Sequence, residues 1–246
     1  MDLPGTNAKR DTSGLASRIQ QYYEKWWENP RDIRTPIFNR LNDLVQNRIE
    51  RAAGVGALDL GSGKGRVVSM LLGKGWKVTA VELSPVFARE LKTKFPSATV
   101  VCGDVRNWGI HSNYDLVTCI ELTQVLPPDD LRGLLIRVRP YAKRVLINIS
   151  NRQSIHGVWV RIRRFQAPFI VTYRPRDLVR MLETTGYHVV FTSGVGFLTP
   201  ISLLRNFKVR LITQRIVDRF RKLDNYFPEF CHLYLAEAVP IPEAEA

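Results

Sequence analysis

Cysteine is scarce in this chain: three in 246 residues, Cys102, Cys119 and Cys231. They lie far apart and show no CxxC or Cys/His spacing, so neither a zinc site nor a disulfide framework is implied, and all three read as small core residues. Long apolar runs are missing as well. No stretch approaches the roughly 18 consecutive apolar residues that a spanning helix needs. Residues 1–14 have no apolar core of the kind a secretion signal carries, so the expected location is the cytoplasm. Acidic residues are outnumbered, 23 against 36 Lys and Arg, which leaves a formal charge of +13. That excess favours an anionic partner: nucleic acid, a membrane or an acidic substrate.

The rest is the composition of a folded domain, with 45% hydrophobic residues, and the length suits one α/β domain with appendages. Residues 1–16 read as a polar tail and 17–54 as a helical cap, because Ile19 to Trp27 and then Ile37, Leu41, Leu44, Val45 and Ile49 recur at helical spacing. Pro36 opens the second of these helices and Gly54 closes it. Short apolar runs then alternate with helical ones: strands at 57–60, 77–81, 99–102, 115–119 and 145–149, helices at 66–72 and 85–94. Alternation of this kind predicts a doubly wound, mostly parallel sheet with helices on both faces. After Ser150 come a less regular basic segment, a helix at 175–185, a strand at 187–191, a helical insertion and a last strand at 231–238. Residues 55–150 thus form the core, and 151–239 complete it with insertions on the substrate side.

The run Leu58-Asp59-Leu60-Gly61-Ser62-Gly63-Lys64-Gly65 puts an acid at a strand end, followed by glycines and a helix. Such a loop lets the backbone approach a ligand and aims its amides from a helix N-terminus. Glu82 ends the next strand, at the distance where an acid meets a ribose diol. The third strand ends in Gly103-Asp104-Val105, where the acid can accept from an adenine amino group and Val105 can pack near the ring. A dinucleotide is the rival ligand, but its G-x-G-x-x-G fingerprint needs a glycine where Arg66 stands.

The ordered set Asp59, Gly61, Gly63, Gly65, Glu82 and Asp104 resembles the first three motifs of the class I (Rossmann-like) S-adenosylmethionine (SAM) dependent methyltransferases, closest in pattern to their small-molecule, ubiquinone-type members. The resemblance runs from Val55 to Ser150 and takes in the two closing strands, which form an antiparallel hairpin in that family. It implies a seven-stranded sheet with an antiparallel last strand, SAM as cofactor and S-adenosylhomocysteine as product. Carried over by position, the loop of Gly61, Ser62, Gly63 and Gly65 would cradle the methionine portion, and Glu82, with Leu83 beside it, the ribose. Asp104 and Val105 would meet the adenine, and backbone near Ile120 the methionine amino group.

Methyl transfer is an in-line displacement, so the protein's main task is to hold a nucleophile against the methyl. If that nucleophile is a hydroxyl, a base helps, and histidine is the commonest. His156, just after the fifth strand, is the best placed of four histidines as base and acceptor contact; its plainer interpretation is a surface-loop residue. Tyr173 is a second candidate for both roles. Glu121 falls near the expected methyl position, either as an acid that orients the acceptor or as a strand-end charge. The segment Glu121 to Pro127 resembles the stretch where ubiquinone-type O-methyltransferases carry a metal-binding Glu-x-x-Glu-His, but Gln124 and Val125 replace the last two ligands, so no metal is expected. Tyr22 with Trp26, and Tyr23 with Trp27, stack at i and i+4 and either dock on the sheet or roof the acceptor site.

Nine basic residues and no acidic one lie between 131 and 164. A second basic cluster, 205–222, is broken only by Asp218 and interleaved with apolar residues. Such segments serve as a solvated face, a substrate cap, a membrane-surface helix or a subunit contact. The expectation that results is metal-independent methyl transfer, to oxygen, on a small hydrophobic or anionic acceptor, with peripheral membrane contact as a secondary option. Two rivals stay open: a nucleic-acid methyltransferase, which the +13 charge would suit, although no Asn/Asp-Pro-Pro-Tyr/Phe motif follows the fourth strand, and a SAM-binding partner protein without catalysis.

Overall fold

The computed structural model describes residues 14, 17–21, 35–162, 170–197, 215 and 218–242. Strands β1 (Gly56–Leu60), β2 (Lys77–Glu82), β4 (Leu116–Cys119) and β5 (Val145–Ser150) are short runs buried almost throughout, as strands covered on two faces must be. With β3 (Thr99–Cys102), β6 (Tyr187–Phe197) and β7 (Cys231–Pro240) they make one seven-stranded sheet in the order β3-β2-β1-β4-β5-β7-β6. Only β7 runs antiparallel, pairing with β5 from Val145↔Ala238 to Ser150↔Leu233 and with β6 on its other side. The chain winds outward in one direction from β1 and then in the other from β4, and a sheet built so holds its ligands beyond the carboxyl ends of those two central strands. This is the doubly wound, mixed sheet that the sequence implies.

The described helices of four or more residues that follow the cap segment 17–21 are α1 (Thr35–Arg51), α2 (Arg66–Gly73), α3 (Pro85–Lys94), α4 (Pro128–Val138), α5 (Ile155–Ile162), α6 (Pro175–Thr184) and α7 (Leu223–Tyr226). The pleat of β1 divides the core: Leu58 and Leu60 join α4 and α6 through Leu131, Leu135 and Leu178, while Ala57 faces Ile37, Leu41, Val68 and Leu71 of α1 and α2. Helix α4 fills a stretch that the sequence pattern leaves without an element, although Leu131, Leu134, Leu135 and Val138 repeat at helical spacing after Pro128. Helix α5 replaces the expected irregular segment after Ser150. Strand β6 continues six residues past the expected end, with its register shifted between Val189 and Phe191. Cys119 and Cys231 are buried as expected, but Cys102 is exposed, because it ends the edge strand β3.

Polar fasteners tie α1 to the sheet at its C-terminal half. Glu237 of β7, its side chain 1% exposed, is paired with both Arg48 of α1 and Arg144. The Lys74 ammonium donates to the carbonyls of Ile49, Glu50 and Ala52 at 2.5–2.7 Å, satisfying groups that a helix end leaves open. Gly54, at φ 127°, then turns the chain into β1, and a Cβ there would lie 2.3 Å from that of Asp115. Asp115 accepts from the amides of Val55 and Gly56 and from Lys143, contacts that hold its carboxyl down at about 2.

Removing a shared buried anion strands the cations around it. Glu237→Ala is therefore expected to lower the unfolding free energy by about 3 kcal/mol in urea titration, against less than ~1 kcal/mol for Lys143→Ala, whose ammonium is exposed. Equal losses in the two variants would contradict the keystone role of Glu237.

Candidate active site

Beyond the carboxyl ends of β1, β2 and β4 lies a cavity of about 390 Å³, within the ordinary range for a small-molecule site. Of the ten residues that the sequence assigns to the cofactor, nine line it: Asp59, Gly61, Ser62, Gly63, Glu82, Leu83, Asp104, Val105 and Ile120. The tenth, Gly65, does not. It sits at φ 80°, and a Cβ there would lie 2.3 Å from Phe95 Cε2 and 2.6 Å from Leu91 Cδ2, so its glycine serves the packing of α3 against the loop. Gly63, at φ 53°, has no atom within 4 Å of where a Cβ would stand.

Each acid has a distinct environment. The Glu82 carboxylate accepts from the Gly63 amide at 2.7 Å and the Ser84 amide at 2.8 Å; burial pushes its pKa up while these amides oppose the shift. Asp59 is buried, with Oδ1 accepting from the Thr118 hydroxyl at 2.6 Å and Oδ2 left without a partner. Burial raises its pKa too. For Asp104, burial acts in the same direction but is outweighed by Arg106, whose guanidinium and backbone amide clasp the carboxylate and hold its pKa below the usual range. An orphaned buried oxygen, a glycine with open space and a carboxylate at the second strand end together fit a nucleoside ligand with an amino-acid tail.

Glu121 has positive φ, 63°, a conformation that a residue with a side chain adopts only under constraint. The constraint is Asn148 of β5, whose Oδ1 accepts from the Glu121 amide at 2.6 Å while its amide nitrogen donates to the Glu121 carboxylate. Asn148 is fully buried, and its own carbonyl accepts from Thr123 at 2.7 Å. Arg66, first residue of α2, also lines the cavity; burial lowers its pKa against the opposing pull of Glu121 and Asp59. Sequence reasoning noticed Arg66 only as an absent glycine and passed over Asn148, although an amide within the apolar run Val145-Leu146-Ile147-Asn148-Ile149 is a signal.

The structure does not bring Tyr173 or His156 to the cavity wall. Tyr173 is buried, its hydroxyl donating to the Leu126 carbonyl and its pKa pushed well up by burial. His156 stands on α5 rather than in a loop, its ring edge-on to His232 at 4.2 Å. Tyr22 and Trp26 lie outside the described residues, while Ile19 and Gln20 of the same N-terminal segment line the cavity together with Phe38 and Asn42 of α1. Among the described residues no cluster of three or more His, Cys, Asp or Glu is arranged around a metal position.

Gly63 and Gly65 predict losses of different size. Gly65→Ala is expected to cost about 3 kcal/mol, from overpacking added to backbone strain. Gly63→Ala should cost about 1 kcal/mol, from strain alone. Urea unfolding of both variants checks this, and equal costs would contradict a packing role for Gly65.

Residues 57–144 match the methyltransferase domain family. The mitochondrial ubiquinone biosynthesis O-methyltransferase of Schizosaccharomyces pombe is 30% identical over 129 residues, 48% of this chain and 44% of that protein, so this chain spans less than half the length of the relative. Among solved structures, the magnesium protoporphyrin IX methyltransferase of Synechocystis PCC 6803 with bound SAH superposes with a TM-score of 0.68 at 15% identity, covering 94% of this chain and 100% of that one. A possible histamine N-methyltransferase from Thermotoga maritima follows at 0.61 and 13% identity, covering 92% and 98%. Residues 57–144 thus match a methyltransferase domain, and over nearly its whole length the chain shares the Rossmann-like fold of these solved methyltransferases.

Proposed function

We propose that this chain transfers a methyl group from SAM to the oxygen of a small hydrophobic or anionic acceptor, without a metal ion. The observation that carries this reading is the continuity of one cavity from the acids at three strand ends to Glu121 and the cap residues Ile19, Gln20, Phe38 and Asn42. When bound, SAM supplies a methyl on a sulfonium, a leaving group that needs no covalent help from the protein.

Everything else falls to the chain's own groups. Glu82 keeps a lone pair on each oxygen for the ribose hydroxyls while it holds Gly63 and Ser84. The unpartnered Asp59 Oδ2 suits an N–H donor of the ligand. Ile19, Phe38, Leu122, Val125 and Leu126 give the acceptor side apolar walls, which exclude water and favour a hydrophobic acceptor. Arg66 is the cation for an anionic one. Glu121, fixed by Asn148, is the group that takes up or orients an acceptor hydroxyl proton. The Schizosaccharomyces pombe relative is an O-methyltransferase, which supports oxygen as the receiving atom.

Isothermal titration should show SAM binding and no heat with NAD, with Glu82→Ala weakening SAM by about 100-fold through two lost charge-assisted hydrogen bonds. Turnover of labelled SAM with a panel of phenols, quinols and carboxylic acids should fall by about 100-fold in Glu121→Gln at unchanged SAM affinity. Failure of SAM to bind would overturn the reading; full activity in Glu121→Gln would remove Glu121 from the chemistry.

A further inference from the structure

The carboxyl edge of the sheet carries a second surface outside the cavity. Helix α5 starts directly after β5, and its residues Ile155, Val158 and Ile162, at i, i+3 and i+7, form one exposed stripe, with Ile162 71% exposed. Asn151 fixes this helix beside the start of β7 by donating from its side chain to the carbonyls of Glu229 and Cys231 at 2.7 and 2.8 Å. The chain just before β7 exposes Tyr226, Phe227 and Phe230, with Tyr226 77% exposed. Phe197, at the end of β6, stacks on Phe227 at 5.5 Å and meets Phe220 at 6.4 Å, which holds the 218–230 stretch at the same edge. Arg152, Arg161, Arg219, Arg221 and Lys222 are exposed within these segments, against two exposed acids, Asp218 and Glu229.

We propose that this edge docks on the surface of an anionic phospholipid bilayer. Exposed aliphatic and aromatic side chains beside a local excess of arginine are the chemistry of the headgroup boundary, where rings and apolar stems sink and guanidinium groups meet lipid phosphates. No described helix is long and apolar enough to cross a membrane, so the contact is interfacial. A second copy of the chain fits less well, since a twofold contact would oppose like charges. RNA fits less well too: bases could stack on Tyr226, Phe227 and Phe230, but a strand would leave the aliphatic stripe of α5 in water, whereas a bilayer buries it. The proposal goes beyond methyl transfer and does not depend on it. Because the cavity lies beyond the carboxyl ends of the same sheet, docking would bring it near acceptors dissolved in the bilayer.

Flotation of the full chain with vesicles of phosphatidylcholine alone, or with 30% phosphatidylglycerol (on the order used to mimic anionic leaflets), reads the binding without any turnover. Binding is expected only to the anionic vesicles and should weaken at high salt. The triple variant Ile155→Gln, Val158→Gln, Ile162→Gln, and separately Arg219→Glu with Arg221→Glu, should each lower the bound fraction about tenfold or more, with unchanged circular dichroism. Absence of binding, equal binding to both vesicle types, or undiminished binding by both variants would overturn the proposal. So would salt-sensitive RNA binding that displaces the vesicles, or a dimer that the triple variant dissociates.

Discussion

The Glu82 carboxylate takes two backbone amides, one from the loop after β1 and one from the start of α3. The cavity depends on that arrangement. The glycines at 61, 63 and 65, all at positive φ, add no side chains to hold the loop's shape, so beyond the Ser62 hydroxyl on the Asp59 carbonyl its geometry is borrowed from the neighbouring strand. Because both contacts are to amides, the acid can hold the loop and still present acceptor lone pairs to a ligand. Burial makes the arrangement sensitive as well: protonating Glu82 would weaken loop and ligand contacts together, and its raised pKa brings that protonation nearer to neutral pH than for an exposed glutamate.

Much of this was legible in the sequence because it rests on local rules. Strands β1 to β5 announce themselves as short apolar runs, and α3 has its proline at N1 and Ser84 as N-cap, so its boundaries emerge at Pro85 and Lys94. The spacing of Asp59, Glu82 and Asp104 encodes three strand ends side by side. Long-range contacts were not legible. Nothing local says that Asn148 reaches across to Glu121, that Tyr173 spends its hydroxyl on Leu126, or that His156 turns toward His232 rather than the cavity. Position along a chain locates an edge of the sheet, but which side chains point into a crevice depends on packing from other elements. Gly65 shows the converse: its motif suggested a ligand contact, and the structure uses it to seat Phe95 and Leu91.

Asp104 adds a condition to any account of affinity. Its carboxylate is already occupied by Arg106, which also lies 3.8 Å from Asp130 of α4. A ligand that needs this acid must share it with the guanidinium or displace it. Binding at that end is therefore an exchange of donors, and its free energy is the difference between two good hydrogen bonds rather than the whole of one.

The fastening of α1 is lopsided. Arg48 and the carbonyls capped by Lys74 lie in its last turns, while Phe38 and Asn42, on the cavity wall, lie toward its start, where the helix rests on Ile37 and Leu41. Apolar contacts have no preferred direction, and together with the attraction between Arg40 and Asp224 they resist a tilt less sharply than the ion pair and carbonyl caps of the other half. Any tilt of the helix would therefore turn about the region of Arg48. Ten residues of helix span roughly 15 Å, so a tilt of about 10° there would carry Phe38 through roughly 3 Å, close to the thickness of one layer of water.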